Sequence, residues 1–276
     1  MQDVLVYVHS LKQPWDPVTE YGARMAALLG ASVTGAYVYP WPQYSPPPYS
    51  SPDFITLIFQ NSRAQEAAAK AAEEPFRRWA KSLGVRDAAW HVAESYLPDA
   101  LAQIGTWHDL LVLELNVDAP WGSPFDVASL VLSSHLPTIV VPNAPKLNGA
   151  PGCVVLAWNG APEAVRAIHA ALPLLQRAKR VVLLCGERRK SFLEIAWKPP
   201  FDMSAYLIRH GVKLESRNFD ADDEHAGAAI LDAASELKAE LIVMGAYGRN
   251  RFSEWALGGA TRHVLNHTPV PVFMRH

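Results

Sequence analysis

Two stretches of this 276-residue chain, Val4-Leu-Val-Tyr-Val-His9 and Val154-Val-Leu-Ala-Trp-Asn159, are similar apolar runs set 150 residues apart. Each leads into a helical pattern rich in alanine and leucine. Further along, Asp109-Leu-Leu-Val-Leu113 matches Glu240-Leu-Ile-Val-Met244, and His135-Leu-Pro-Thr-Ile-Val-Val-Pro142 matches His267-Thr-Pro-Val-Pro-Val-Phe-Met274. Two copies of one unit therefore account for a length that already exceeds one ordinary domain.

Within each copy, short β-branched runs alternate with helical patterns. That alternation predicts parallel strands joined by helical crossovers. The fold class expected is α/β, as two tandem doubly wound parallel five-stranded sheets with helices on both faces. Strands are expected over 3–9, 32–39, 86–92, 109–115 and 138–142 in the first copy. Those of the second are expected over 153–158, 180–185, 212–218, 240–244 and 270–274. Domains of 1–143 and 151–276 follow, joined through Pro142-Asn-Ala-Pro-Lys-Leu-Asn-Gly-Ala-Pro151, whose prolines and polar residues suit a linker.

One segment breaks the pattern. Residues 40–52 hold six prolines in thirteen positions and are expected to be extended or turned, folded over their own domain by Trp41, Tyr44 and Tyr49.

The net charge of -2 gives no global field for nucleic acid or an acidic membrane surface. No apolar run approaches membrane-spanning length and the N-terminus lacks the features of a secretory signal, so a cytoplasmic protein is expected. Cys153 would begin one strand and Cys185 would end its parallel neighbour, roughly 13 Å or more away, so both are expected to be buried thiols without a disulfide.

The richest motif lies near the end. Met244-Gly-Ala-Tyr-Gly-Arg-Asn-Arg-Phe-Ser-Glu-Trp-Ala-Leu-Gly-Gly-Ala-Thr261 sets Gly245, Gly248, Gly258 and Gly259 between an apolar strand and a helix. Glycine lets backbone approach a ligand closely, and the free N–H groups that open a helix attract an anion. In an open parallel sheet, ligands settle beyond the carboxyl ends of strands where the strand order reverses. The first and fourth strands of each copy would flank that crevice, which brings Asn159-Gly160 and Gly245 to its rim.

The glycine spacing, with Leu241-Ile-Val-Met-Gly-Ala-Tyr-Gly-Arg249 before it and Pro269-Val-Pro-Val272 after it, closely resembles the universal stress protein family. The resemblance covers nearly the whole chain as a tandem of two such domains, strong over 240–274 and weaker over 1–142. It implies ATP or another adenine nucleotide, with or without Mg, lying along the glycine loop with its adenine near Ala157 and Asn159 at the end of the first strand. By the same resemblance Gly245, Gly248 and Gly258 present backbone to ribose and phosphates. From their own positions, Gly259 is expected to supply an N–H, Thr261 a hydroxyl from the first helical turn, and Arg249, inside the loop, to face the phosphates. Two positions depart from the family's pattern: Gly259 stands where serine or threonine is usual, and Asn159 where aspartate is usual.

No catalytic residue and no metal site is expected. The loop has neither a Gly-x-x-x-x-Gly-Lys-Ser/Thr lysine nor a carboxylate pair for magnesium, so rapid ATP hydrolysis is not expected and slow turnover is the outer limit. His263 and His267 share a helix face at a spacing that permits coordination, without a third ligand nearby. Asp220-Ala-Asp-Asp-Glu-His225 reads as capping and dipole complementation of the helix that follows.

In the first copy, Glu114 and Val117 replace the first two glycines, and Asp126 or Val127 the third. Side chains fill the space and acidic groups repel phosphate, so this copy is expected to have lost the site. In the family, related domains pair through their last strands. Ile139–Val141 and Val270–Phe273 would meet in this way as an intramolecular pseudo-dimer, and two chains could pair further into a homodimer. The function expected is a stress-response protein in which nucleotide occupancy is a regulatory signal; the alternatives are a nucleotide-independent interaction protein holding unidentified protein partners, and a slow ATPase.

Overall fold

The computed structural model describes residues 1–39, 51–115, 124–142, 147, 149–185, 202–218, 225–246 and 259–276. Its contacts divide the chain into two compact units, Met1–Val112 and Leu113–His276.

The first unit runs β1 (Asp3–Tyr7), α1 (Pro17–Leu29), β2 (Ser32–Tyr39), α2 (Pro52–Ala71), α3 (Glu73–Ser82), β3 (Ala88–Glu94), α4 (Leu97–Gly105) and β4 (Leu110–Glu114), whose last two residues pass into the second unit. Its strands hydrogen-bond in the order β3-β2-β1-β4, all parallel, with Val4 opposite Val33 and Leu110. Local chemistry sets the boundaries. Asp16 caps α1 by accepting from the N–H groups of Val18 and Thr19, and Gly30, at φ 67°, ends that helix in the left-handed conformation that costs glycine least.

The long helix expected between β2 and β3 is two helices that break at Ala72. Pro75 supplies the reason: its ring has no N–H to give the carbonyl one turn back and crowds that carbonyl. Pro52, expected in a non-helical stretch, is the first residue of α2, where a proline is tolerated, and Ser51 caps it. Residues 40–50, with Trp41, Tyr44 and Tyr49, lie outside the described residues.

A lone histidine ties α4 to the sheet. His108 Nδ1 donates to the Ile104 carbonyl at 2.8 Å, which leaves Nε2 to accept from the Thr34 hydroxyl at 2.9 Å. Burial holds its pKa below the ordinary histidine value, a pull that His91 assists and that the Ile104 bond, Asp3 and Asp109 only partly oppose. A histidine depressed in the folded state stays neutral there while the unfolded chain takes up a proton below about pH 6.5. Stability from this group is therefore whole above that pH and lost as pH falls toward the folded value, by at most about 1.4 kcal/mol per pH unit. Urea unfolding of the parent and of His108→Gln at pH 7.5 and 5.5 checks it: the parent loses more of its stability on acidification than the variant.

The second unit runs from the end of β4 through α5 (Pro124–Ser134), β5 (Thr138–Val141), β6 (Cys153–Trp158), α6 (Pro162–Leu175), β7 (Arg180–Cys185), α7 (Met203–Arg209), β8 (Leu214–Asn218), α8 (Ala226–Glu236), β9 (Leu241–Gly245), α9 (Gly259–His267) and β10 (Val272–Arg275). Its strand order is β5-β10-β9-β6-β7-β8, parallel except where β5 meets β10. That antiparallel contact pairs Ile139 with Phe273 and Val140 with Val272, the meeting of last strands expected from the family resemblance. β5 and α5 therefore belong to the second compact unit although they close the first sequence repeat.

Both faces of this sheet are covered from β5 to β7, as near-continuous apolar strands require, whereas the polar edge strand β8 is largely exposed. On one face Val155, Val182, Ile242, Met244 and Val272 pack with Val127 and Val131 of α5, Ile230 and Ala234 of α8, and Val264 and Leu265 of α9. The alternate strand residues, Val154, Leu156, Val243 and Phe273 among them, point the other way and are equally buried, with α6 against β9 and β10. Cys153 and Cys185 stand at opposite ends of paired strands, too far apart to bond each other; Cys153 is buried as expected, whereas Cys185 is partly exposed.

Candidate functional site

Strand order in the second unit reverses between β6 and β9, so the crevice expected of a doubly wound sheet opens at their carboxyl ends. The last register pair there is Leu156 with Val243, and two residues further come Trp158 and Gly245. Ala157 is half-buried on β6, opposite Leu184 of β7. Asn159 follows β6 and is exposed; its Oδ1 accepts from the Ala161 N–H at 3.0 Å. Gly160, at φ 77°, completes the turn into α6. The Asn159 oxygen thus accepts one bond from the chain's own turn, leaving a second lone pair and its amide N–H groups for a ligand.

Gly245 closes β9 and pairs with Arg275 of β10. The next residue, Ala246, donates to the Arg275 carbonyl at 2.9 Å and bonds the His276 ring through its own carbonyl at 3.0 Å. A Cβ on Gly245 would lie 2.6 Å from the Ala164 nitrogen, 2.7 Å from the Glu163 carbonyl carbon and 2.8 Å from the Glu163 Cβ. Its bare Cα is therefore demanded by the first turn of α6, independently of any ligand.

Gly259 opens α9 and is exposed, while Thr261, in the first turn, is only 5% exposed. Among the described residues the Thr261 hydroxyl has no hydrogen-bond partner. Gly248, Arg249 and Gly258 lie outside the described residues. The structure thus brings Asn159 and Gly245 to neighbouring strand ends, with Ala157 just below, and puts Gly259 and Thr261 at the head of α9.

Sequence reasoning passed over Glu163. It is the second residue of α6, it sits against Gly245, and it is 7% exposed. An acidic residue in a first helical turn reads as dipole complementation, and nothing in the sequence signals that this one is covered.

In the first copy, Glu114 ends β4 half-buried, and Val127 is buried in the core of the second unit at 2% exposure. A packed side chain thus stands at one of the two positions aligned with the third glycine. Val117 lies outside the described residues. The acidic run 220–224 also lies outside them; His225 takes the N-cap position of α8 and forms no side-chain cap. His263 and His267 stack with ring centroids 4.4 Å apart, and His267 Nδ1 bonds the His263 carbonyl at 2.9 Å. No group of three metal-ligating side chains occurs among the described residues. Nor, among them, is any helix long and apolar enough to cross a membrane.

Comparison with known proteins gives a family match for the C-terminal stretch and a fold for the whole chain. Residues 203–276 match the model of the universal stress protein family. Over the whole length, the chain is similar to a universal stress protein from Archaeoglobus fulgidus DSM 4304, at 14% identity and a TM-score of 0.64, covering 98% of this chain and 96% of that one. It is also similar to a protein of unknown function from Pseudomonas aeruginosa PAO1, at 15% identity and a TM-score of 0.58, covering 99% and 92%. A universal stress protein solved in complex with cAMP covers 51% of this chain and 96% of its own at 18% identity, with a TM-score of 0.35, too distant to argue from. No curated protein matches the chain at a significant level. The stretch from α7 to the C-terminus carries the universal stress protein signature, and the chain as a whole has the α/β fold of such proteins.

Proposed function

We propose, from the universal stress protein signature of residues 203–276, that this is a cytoplasmic stress-response protein whose second repeat binds ATP or a related adenine nucleotide, with or without Mg, as a regulatory signal. The observation that carries the reading is the reversal of strand order between β6 and β9, with Asn159 and Gly245 at the adjoining strand ends and the glycine-rich stretch directly after β9. Ala157 and Asn159 serve the base, Gly245, Gly248, Gly258 and Gly259 the ribose and phosphates, and Arg249 and Thr261 the charged oxygens. Repeat 1–143 is the degenerate partner, and two chains can pair into a dimer.

Magnitudes set what tight binding requires. A few N–H bonds to charged oxygens, each worth about 1.5–3 kcal/mol, are largely cancelled by the roughly 4–15 kcal/mol cost of association. Tight binding therefore needs the adenine buried as well. Isothermal calorimetry is expected to give one adenine nucleotide per chain, and Gly248→Val to abolish it; an absence of heat at millimolar nucleotide overturns the reading. Slow ATP turnover, if present, appears as phosphate release that Gly248→Val removes.

One observation favours a nucleotide-independent interaction protein instead. Phe54 and Leu57, one turn apart on α2, are 47% and 51% exposed, a pair of apolar side chains of the kind a partner covers. That reading predicts partner capture unchanged by Gly248→Val.

A further inference from the structure

Glu163 is a covered carboxylate with too few partners. Its side chain is 9% exposed, and its one ion pair is to Arg166 Nη2 at 3.5 Å, a long contact to a side chain that is itself 46% exposed. Among the described residues it accepts no hydrogen bond. An ionised carboxylate offers about four acceptor sites, and leaving them unfilled away from water is unfavourable. The side chain also springs from the edge of the crevice: its Cβ is 2.8 Å from where a Gly245 Cβ would be, at the end of β9.

We propose that Glu163 orients the ligand by accepting hydrogen bonds from the vicinal 2′- and 3′-hydroxyls of the nucleotide ribose; this rests on the nucleotide reading above. A carboxylate can only accept, so the matching group must donate, which excludes phosphate oxygens and leaves hydroxyls or the base amine. Two adjacent hydroxyls match the two carboxylate oxygens, and an acidic side chain holds the ribose in other doubly wound sheets. Gly245 makes the arrangement possible, since any side chain there would push α6 and Glu163 away from the strand ends. The carboxylate further disfavours poses that bring the phosphates under α6, so it sets the direction in which the nucleotide lies.

The test compares ATP, 2′,3′-dideoxy-ATP and inosine triphosphate on the full chain by calorimetry. The parent protein is expected to bind ATP at least about tenfold more tightly than the dideoxy compound, as loss of a hydrogen bond to a charged group implies. In Glu163→Gln that preference shrinks to about threefold or less, with the far-UV circular dichroism unchanged. A parent protein that binds ATP and dideoxy-ATP alike overturns the inference and leaves the nucleotide reading standing, and this arm needs no variant. A Glu163-dependent preference against inosine triphosphate alone reassigns the carboxylate to the base amine and overturns the ribose assignment. A parent protein that binds none of the three overturns the nucleotide reading and this inference together.

Discussion

Gly245→Ala is expected to destabilise the protein by about 2–4 kcal/mol, the upper range for forcing an atom into a packed interior. The three atoms that the new methyl would meet, at 2.6, 2.7 and 2.8 Å, belong to the backbone and Cβ of Glu163 and Ala164. None is the free end of a side chain that can swing aside. Relief requires α6 to lift from the sheet, and with it Ala164, Ala167, Ile168 and Ala171, all nearly or fully buried. Gly30→Ala is the contrast. That glycine has φ 67° and nothing within 4 Å of a new Cβ, so its cost is backbone strain alone, about 1–2 kcal/mol. Urea unfolding of both variants measures the difference; a Gly245→Ala protein within about 0.5 kcal/mol of the parent would mean that α6 yields freely at this point. The result also governs how nucleotide binding is tested. Loss of binding in Gly245→Ala would report a displaced helix, which is why Gly248→Val is the variant for the ligand.

This double duty of Gly245 explains what the sequence could and could not disclose about the site. A glycine after an apolar strand signals that a side chain is not tolerated, but the signal is the same whether the neighbour is a phosphate or a helix. Asn159 was legible as a rim residue because it follows β6, yet its commitment to the Ala161 N–H depends on a turn set by Gly160 at φ 77°. Glu163 was illegible for the opposite reason. Its residue type and helical position suit an exposed first turn, and its burial arises only because Gly245 lets α6 settle so low.

The fold was far more open to reading. Strands expected at 32–39, 153–158 and 180–185 are β2, β6 and β7 to the residue; β6 and β7 are apolar runs bounded by polar or glycine positions, and β2 runs from just after Gly30 to just before Pro40. Helix details were not, because they turn on single residues: Pro75 splits a continuous pattern, and Pro52 starts a helix where a proline cluster suggested none. The compact division after Val112, against a repeat boundary near residue 143, has a pairwise cause. β5 has Thr138, Ile139 and Val140 in register with β10, and Leu115 donates to the Val141 carbonyl at 2.8 Å. A repeat reports ancestry of the sequence, whereas compactness reports which strand a strand bonds.

In the first unit the largest effect is expected at Phe76, which is fully buried at the junction of α3 with the sheet. Its ring lies 5.5 Å from Trp15 at 89°, 5.7 Å from Trp79 and 5.0 Å from Trp90. Edge-to-face and tilted contacts at these spacings add to the burial of apolar area, and the Trp90 indole is anchored by its N–H to the Ala69 carbonyl at 2.9 Å. Three indoles around one phenyl leave little freedom to collapse into a hole, so Phe76→Ala is expected near the top of its usual range, at about 4–5 kcal/mol. Gly35 sharpens the argument, because a Cβ there would come within 2.9 Å of Phe76 Cζ and 2.6 Å of Trp90 Cε3. The cluster is packed from the strand side as tightly as from the helix side. Phe76→Leu, which keeps most of the volume, is expected to cost under about 1.5 kcal/mol. Urea unfolding followed by far-UV circular dichroism separates the two variants. Equal losses would mean that the ring contacts, and not the volume they enclose, hold α3 to the sheet.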